Sequence, residues 1–478
     1  MKNLLPLFLI TFLFFACGSD DNVEITRFEL LPKGGVLASC TDVRAVNTTA
    51  GFAYDDNTCH YSPTPCADCD FIIEPDMKVV DNEDLKLPAG SIIGIKGGHR
   101  EDLIIRNFYG TSDKPFTFIN CDGQVIAAAN VPTIKLHSLN HIRLSGTGSG
   151  DKFGIKITAG RPFGIVAELA ASNVEIDHVE ISGIGGPAIS ARTRPVCDGS
   201  TNRGTFVQKN TVIHHNYIHD VEGEGFYIGG SHWHSSFPEV AECPSLTLLE
   251  PELDGVQVYN NLVENTGQDG IQVGGAVRGC DIYNNIVINY GLKNIQVHQS
   301  GIQINPGTTG NIFSNFIKGG TGSGIFINGF SNKVYSNVIV DCAKNAIHVG
   351  DREPPAGKTY KFVNNTLYNI AGNALHMNSK ASINNVFYNN LLINVAGGLH
   401  NKLGDDISLD IDHNVELYDV AKAGLANPAQ YDFSLRDDSS LIDAGVAIND
   451  EDINIDYLLN NRKAGQGIDV GAVEYQRN

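Results

Sequence analysis

A string that returns within one chain constrains the fold more than any composition does. Here VQVYNNLVEN at 256–265 comes back as CDIYNNIVIN at 280–289, so Asn261 and Asn285 stand 24 residues apart. The same wording recurs around Asn216, Asn315, Asn337, Asn365 and Asn390, with connections of varying length. A unit this short cannot bury an apolar face alone, and stacked copies build one continuous core. The chain has 51 glycines, many β-branched residues and no long amphipathic helical pattern, so the unit reads as a coil of short strands.

Aligning the copies shows which side chains face inward. Three residues before the anchors stand Ile213, Val258, Ile282, Ile312, Val334, Phe362 and Phe387; the next column is His214, Tyr259, Tyr283, Phe313, Tyr335, Val363 and Tyr388. Strand alternation puts the first column inside and the second outside, where its rings are expected to stack along the coil. The anchors are expected to form a hydrogen-bonded asparagine ladder, with a second ladder at Asp220, Asn265, Asn289, Asp341, Asn369 and Asn394, since Asn tolerates left-handed backbone. In the rung before Asn216 the anchor place falls to His178.

A further strand follows each turn, in GEGFYIGG, GQDGIQVGG, GLKNIQVHQ, GSGIFINGF, KNAIHVGD and GNALHMNSK. Its outward position holds Tyr227, Gln272, Gln296, Phe326, His348 and His376. One step before its inward pair lies a column of small residues, Gly225, Gly270, Asn294, Gly324, Ala346 and Ala374, read as a groove floor. Long gaps between anchors place insertions near 192–204 and 231–251 beside the same groove, and loops of this length are usually functional.

The stretch LPAGSIIGIKGGHREDLIIRNFYGTSDKPFTFINCDGQVIA, from Leu87, resembles the first rung of right-handed parallel β-helices of the pectin-lyase-like superfamily. The resemblance runs over about 87–475 and implies an all-β, right-handed parallel β-helix of roughly 10–12 rungs with N- and C-terminal caps. The implied layout is a leader at 1–16, a surface tether and Cys-rich cap at 17–86, the coil at 87–420 and a C-terminal cap at 421–478. The ending resembles those that cover the open end of bacterial β-helices, with Arg462 and Asp469 as a structural pair. This fold carries lyases, hydrolases, epimerases and adhesins, so function has to be argued from the site. The adjacent Asp-Asp, Gly-His-Gly and Arg-x-Lys of polygalacturonases are missing in that arrangement.

MKNLLPLFLITFLFFAC resembles a bacterial lipoprotein signal, with cleavage after Ala16 and lipidation of Cys17; the Gly-Ser-Asp-Asp that follows resembles an export tag to the outer face of the outer membrane. Membrane contact would be through that anchor alone, on a protein expected to be a monomer. Removing 1–16, which contains only Lys2 among charged residues, leaves 33 basic and 54 acidic residues and a charge of −21. Such a surface repels nucleic acid and anionic lipid but admits a neutral glycan, or an anionic one bridged by a cation. The other nine cysteines suit disulfides in an oxidising compartment, with at least one left unpaired; Cys59, Cys66 and Cys69 beside His60 are a weaker zinc alternative.

The chemistry centres on Glu224 and Asp269, which occupy one place in consecutive rungs and should bring their carboxyls within about 5–6 Å, near the separation of a retaining glycosidase pair. Like charges held so close raise one pKa, giving an acid and a nucleophile. Lys293 is the third member of that column, and His298, Arg192 and Arg194 lie a strand step away. Tyr227, Trp233, Gln272, Gln296, Arg192 and Arg194 are candidate sugar contacts; Trp233 serves either as a stacking platform or as a loop anchor. The leading expectation is hydrolysis of a polysaccharide at the cell surface without a cofactor. The first alternative is β-elimination from a uronate, with Ca2+ on Glu224 and Asp269 and the C5 proton removed by Lys293, His298, Tyr227 or an arginine. The second is a glycan binder without turnover.

Overall fold

The computed structural model describes residue 33 and the spans 35–237, 243–350, 352, 356–402, 406–463 and 465–476. The leader and Cys17 lie outside these residues. Each rung carries three short strands, for example Glu252–Tyr259, Leu262–Thr266 and Ile271–Gly274. The first two faces form one sheet of 23 strands and the third face a sheet of 12. Within the coil each strand pairs in parallel with its equivalent a rung away, Val258 beside Ile282 and Ile271 beside Ile302. The molecule is a right-handed parallel β-helix with twelve rungs on its third face. It begins earlier than the resemblance implied: Phe71–Ile73 and Val79–Asp81, ahead of residue 87, already pair into the two sheets.

The interior column of Ile213, Val258, Ile282, Ile312, Val334 and Phe362 is buried. At the corner after it, Asn216, Asn261, Asn285, Asn315, Asn337, Asn365, Asn390 and Asn414 form a continuous ladder. Asn261 shows the pattern: its Nδ2 donates to Asn285 Oδ1 at 3.0 Å and to the carbonyls of Ile213 and Tyr259, and its backbone N–H reaches the same Oδ1 at 3.2 Å. One amide thus satisfies a corner where the sheet hydrogen bonds break, which is why the asparagines are structural. The left-handed residue is the one before the anchor, His215, Asn260, Asn284, Ser314, Ser336, Asn364 or Asn389, and the anchor itself is not left-handed. By the same token His178, at φ 56°, aligns with His215, and Val179 holds the anchor place of that rung.

The outward ring column does stack. His214, Tyr259, Tyr283, Phe313 and Tyr335 lie 4.7–5.0 Å apart with planes within 8° of parallel. It is also roofed: Tyr54 meets it edge-on, and Ile453, Ile455 and Leu459 pack over it. The C-terminal segment therefore runs back along the flank of the coil instead of sitting chiefly over its end. Arg462 is buried there, donating to Ser336 Oγ and to the Gly471 and Ala472 carbonyls, with Glu474 at 3.4 Å. Asp469 does not pair with it; its oxygens accept the N–H groups of Asp443 and Tyr475.

Cys40–Cys59, Cys66–Cys121 and Cys197–Cys243 are disulfides, the last joining the two long insertions. With Cys59 and Cys66 so engaged, a zinc set with Cys69 and His60 is excluded.

Candidate active site

The third face presents its outward side chains between the two insertions. Its register corrects the expected columns. Ile271 and Val273 pair with Ile302 and Ile304, while 291–299 leaves the coil as a loop. Gln303, not Gln296, is therefore the neighbour of Gln272, and Ser300 and Gly301, not Lys293 and Asn294, follow Asp269 and Gly270. Gln296 is exposed on the loop and Lys293 Nζ turns to Glu222 at 2.8 Å, so neither reaches the acid pair. The small residues are no groove floor either. A Cβ on Gly301 would lie 2.5 Å from Ile317 Cγ2 and one on Gly270 2.4 Å from Val287 Cγ1, so the column is small because it turns into the packed interior.

The loop 291–299 folds back to deliver His298 onto the two acids. Glu224, Asp269 and His298 each offer one atom within 4.8 Å of the others. His298 Nδ1 lies 3.5 Å from Asp269 Oδ2 and 3.6 Å from Glu224 Oε1, distances that suit charge attraction more than hydrogen bonds. Asp269 is 0% exposed and its Oδ1 accepts the Ser300 N–H at 2.7 Å; Glu224 is 5% exposed. Burial, backed by the Asp269 charge, pushes the Glu224 carboxyl up to about 7. Burial raises Asp269 as well, against the pull of His298 and the Ser300 N–H. His298 rises because of its contact with Asp269 and the charges of both acids, partial burial opposing. Its Nδ1 is buried, which leaves Nε2 as the nitrogen on the open side.

That open side is a cleft of about 190 Å³ lined by Glu224, His298, Tyr227, Gln268, Arg192 and Arg194, among others. Arg192 Nη1 donates to the Tyr227 hydroxyl at 3.2 Å, Nη2 pairs with the buried Glu250, and buried Nε has no partner among the described residues. Arg194 is exposed, its guanidinium 6.0 Å from the Phe237 ring centre. Ser231 Oγ gathers Tyr227, Gln272 and Asn305. Trp233 is a loop anchor: its ring packs on Gly307 and Gly275 under the Arg203 guanidinium, 3.6 Å from the ring centre, and is not free for a sugar.

Sequence reasoning missed Ser300, Gln303 and Glu250. Gly301 carried the signal for the first two, since the column tolerates only glycine or alanine; nothing in the insertion marked Glu250. Calcium fits the trio poorly. One of three donors is an imidazole nitrogen and Asp269 Oδ1 is already engaged, whereas Ca2+ takes six to eight oxygens.

Residues 252–405 match the family described as "Right handed beta helix region". No curated protein matches the chain. Similar solved structures include a pectate lyase (13% identity, 85% of this chain and 97% of that one, TM-score 0.47). A polysaccharide lyase from Pseudopedobacter saltans gives 13% identity, 76% and 97% coverage and a TM-score of 0.36. A periplasmic alginate epimerase gives 13% identity, 72% and 85% coverage and a TM-score of 0.38.

Proposed function

We propose that the chain is a polysaccharide lyase that cleaves a uronate-containing polymer by β-elimination, with His298 as the base. One observation carries the reading: an imidazole of raised basicity whose Nδ1 is sunk against two buried carboxyls and whose other nitrogen faces a cleft with Arg192, Arg194 and Tyr227. His298 Nε2 takes the proton from the carbon beside the uronate carboxylate. The electron pair of that C–H bond becomes the new C=C bond as the glycosidic C–O bond breaks, and the Tyr227 hydroxyl protonates the leaving oxygen. Asp269 steadies the imidazolium, and Arg192 and Arg194 offer charge to the substrate carboxylate as negative charge develops on it.

Hydrolysis, the first expectation from the sequence, asks for a carboxylate that can reach the anomeric carbon. Asp269 has no exposed surface and is held from two sides, so elimination is favoured. The test is incubation with uronate and neutral polysaccharides, following ultraviolet absorbance and reducing ends. Absorbance that grows with cleavage of a uronate polymer, and persists in chelator, supports the reading. Reducing ends without absorbance point to hydrolysis, and binding without either points to a glycan binder. Export and lipidation at Cys17 would place the enzyme outside the cell, where such polymers are met; metabolic labelling of wild type and Cys17→Ala with a fatty acid tests this.

A further inference from the structure

The third face is uneven along its length. Following its two outward columns toward the N-terminus of the coil, the first reads Ser190, Val166, Lys135 and Ile104 and the second Arg192, Glu168, His137 and Arg106, so every rung there carries an ionisable side chain. In the opposite direction, past Gln272, the first column reads Gln303, Phe326, His348, His376 and Asn401. The second column there holds only amides and glycine, Asn305, Asn328, Gly350 and Asn378. No fixed charge stands in either column on that side among the described residues. Lys344, whose charge reaches His348, stands in the exposed turn before the strand, and Arg352, outside both columns, donates to the Ser231 carbonyl at 3.2 Å.

Phe326, His348 and His376 are half-buried rings on successive rungs, with centres 4.7 Å apart. Unlike the sealed ring column on the other flank, they are not stacked in parallel: Phe326 and His348 are inclined by 52°, and His348 and His376 meet edge to face at 80°. Half-buried rings beside an amide row suit an uncharged sugar, which has apolar C–H faces and hydroxyls at its edges. Burial holds His348 down at about 4, so that ring adds no cation at neutral pH.

We infer, on the basis of the lyase reading, that the substrate is a mixed polymer: a uronate sits in the cleft beside His298, and uncharged sugar units run over Phe326, His348 and His376. The three rings of the platform stand on successive rungs, two steps of 4.7 Å between their centres. A polymer of uronate alone would set its further carboxylates over rings and amides, with no cation in either column to meet them.

The experiment compares a uronate homopolymer with a copolymer alternating uronate and neutral hexose, using the intact protein and following unsaturated product. The copolymer is expected to show at least about tenfold higher kcat/KM. Phe326→Ala and His348→Ala are each expected to raise KM for the copolymer by about tenfold, leave kcat within about twofold and leave the thermal midpoint in place. Equal or better turnover of the homopolymer overturns the inference, as do variants that weaken both substrates alike. If neither polymer is cleaved, the lyase reading has failed, and calorimetric titration with the neutral oligosaccharide decides the platform by itself. Binding lost in Phe326→Ala then supports it, and no binding to the parent protein overturns it.

Discussion

Two clusters among the described residues bring two carboxyls and a histidine within 4.8 Å, Glu175/Asp177/His214 on the first face and Glu224/Asp269/His298 on the third. They differ in what surrounds them. In the first, Arg143 grips Asp177 at 2.6 and 2.9 Å and Arg44 reaches Glu175 at 2.7 Å. Burial opposes ionisation there, but His214 and Arg44 bring Glu175 down to about 2, and Arg143 and His178 hold Asp177 well below the usual range. In the third-face cluster no arginine among the described residues contacts the acids; burial wins, and Glu224 and Asp269 rise instead. The same residue types thus form a neutralised internal network in one place and a proton-holding site open to a cleft in the other, which is the arrangement expected of chemistry.

The contrast breaks most sharply on removal of one member from each. His298→Ala is expected to cut turnover of a uronate polymer by about 10²–10⁴-fold with the fold intact, read by ultraviolet absorbance and circular dichroism. Arg143→Ala should do the reverse. It strands the buried Asp177 charge and is expected to cost about 3–5 kcal/mol of stability in denaturant titration, with activity per folded molecule unchanged. Retained activity in the first variant, or a stable second one, would erase the distinction.

pH separates the clusters by sign. Glu224 titrates at about 7 in the native state against an ordinary 4.5, so its contribution to stability is present below about 4.5 and lost as pH rises through about 7. Glu175 titrates at about 2, so its contribution is present above about 4.5 and lost as pH falls through about 2. Glu224→Gln is therefore expected to flatten the neutral limb of the stability curve by on the order of 3 kcal/mol, and Glu175→Gln to flatten the acid limb. Thermal melts across pH read both. Smallest of all, Lys293→Ala should leave kcat/KM within about twofold, because its partner is the exposed Glu222.

Much of this was legible before any coordinates. The period of Asn261 and Asn285 declared the coil, because a buried corner amide is needed once per rung and substitutes poorly. The acid pair was legible for the same reason, since Glu224 and Asp269 share one place in consecutive rungs. The slip came where the chain offers two near-identical strings, NIQV at 294–297 and GIQI at 301–304. Periodicity cannot choose between them; packing can, for Asn294 would have to fit where even a Cβ meets Ile317. Arg143 over Asp177 and the partner of Arg192 were out of reach, because the repeat places Arg143 one rung from Glu175 and Asp177 without fixing where its long side chain turns, and Glu250 lies in an insertion.

The two ends of the described chain meet over the sealed flank: Gly35 lies against the backbone of Leu458 and Leu459, Val36 N–H donates to Asn460 Oδ1 at 2.9 Å, and the Lys33 ammonium sits 3.5 Å above the Tyr457 ring. A coil of local rungs can assemble progressively during synthesis, yet its column of tyrosines and phenylalanine is only partly covered, by Tyr54, until residues 448–462 emerge. A stretch made long after the rungs it covers is the one that zips the side of the molecule shut, and until then a growing chain carries a sticky stripe several rungs long.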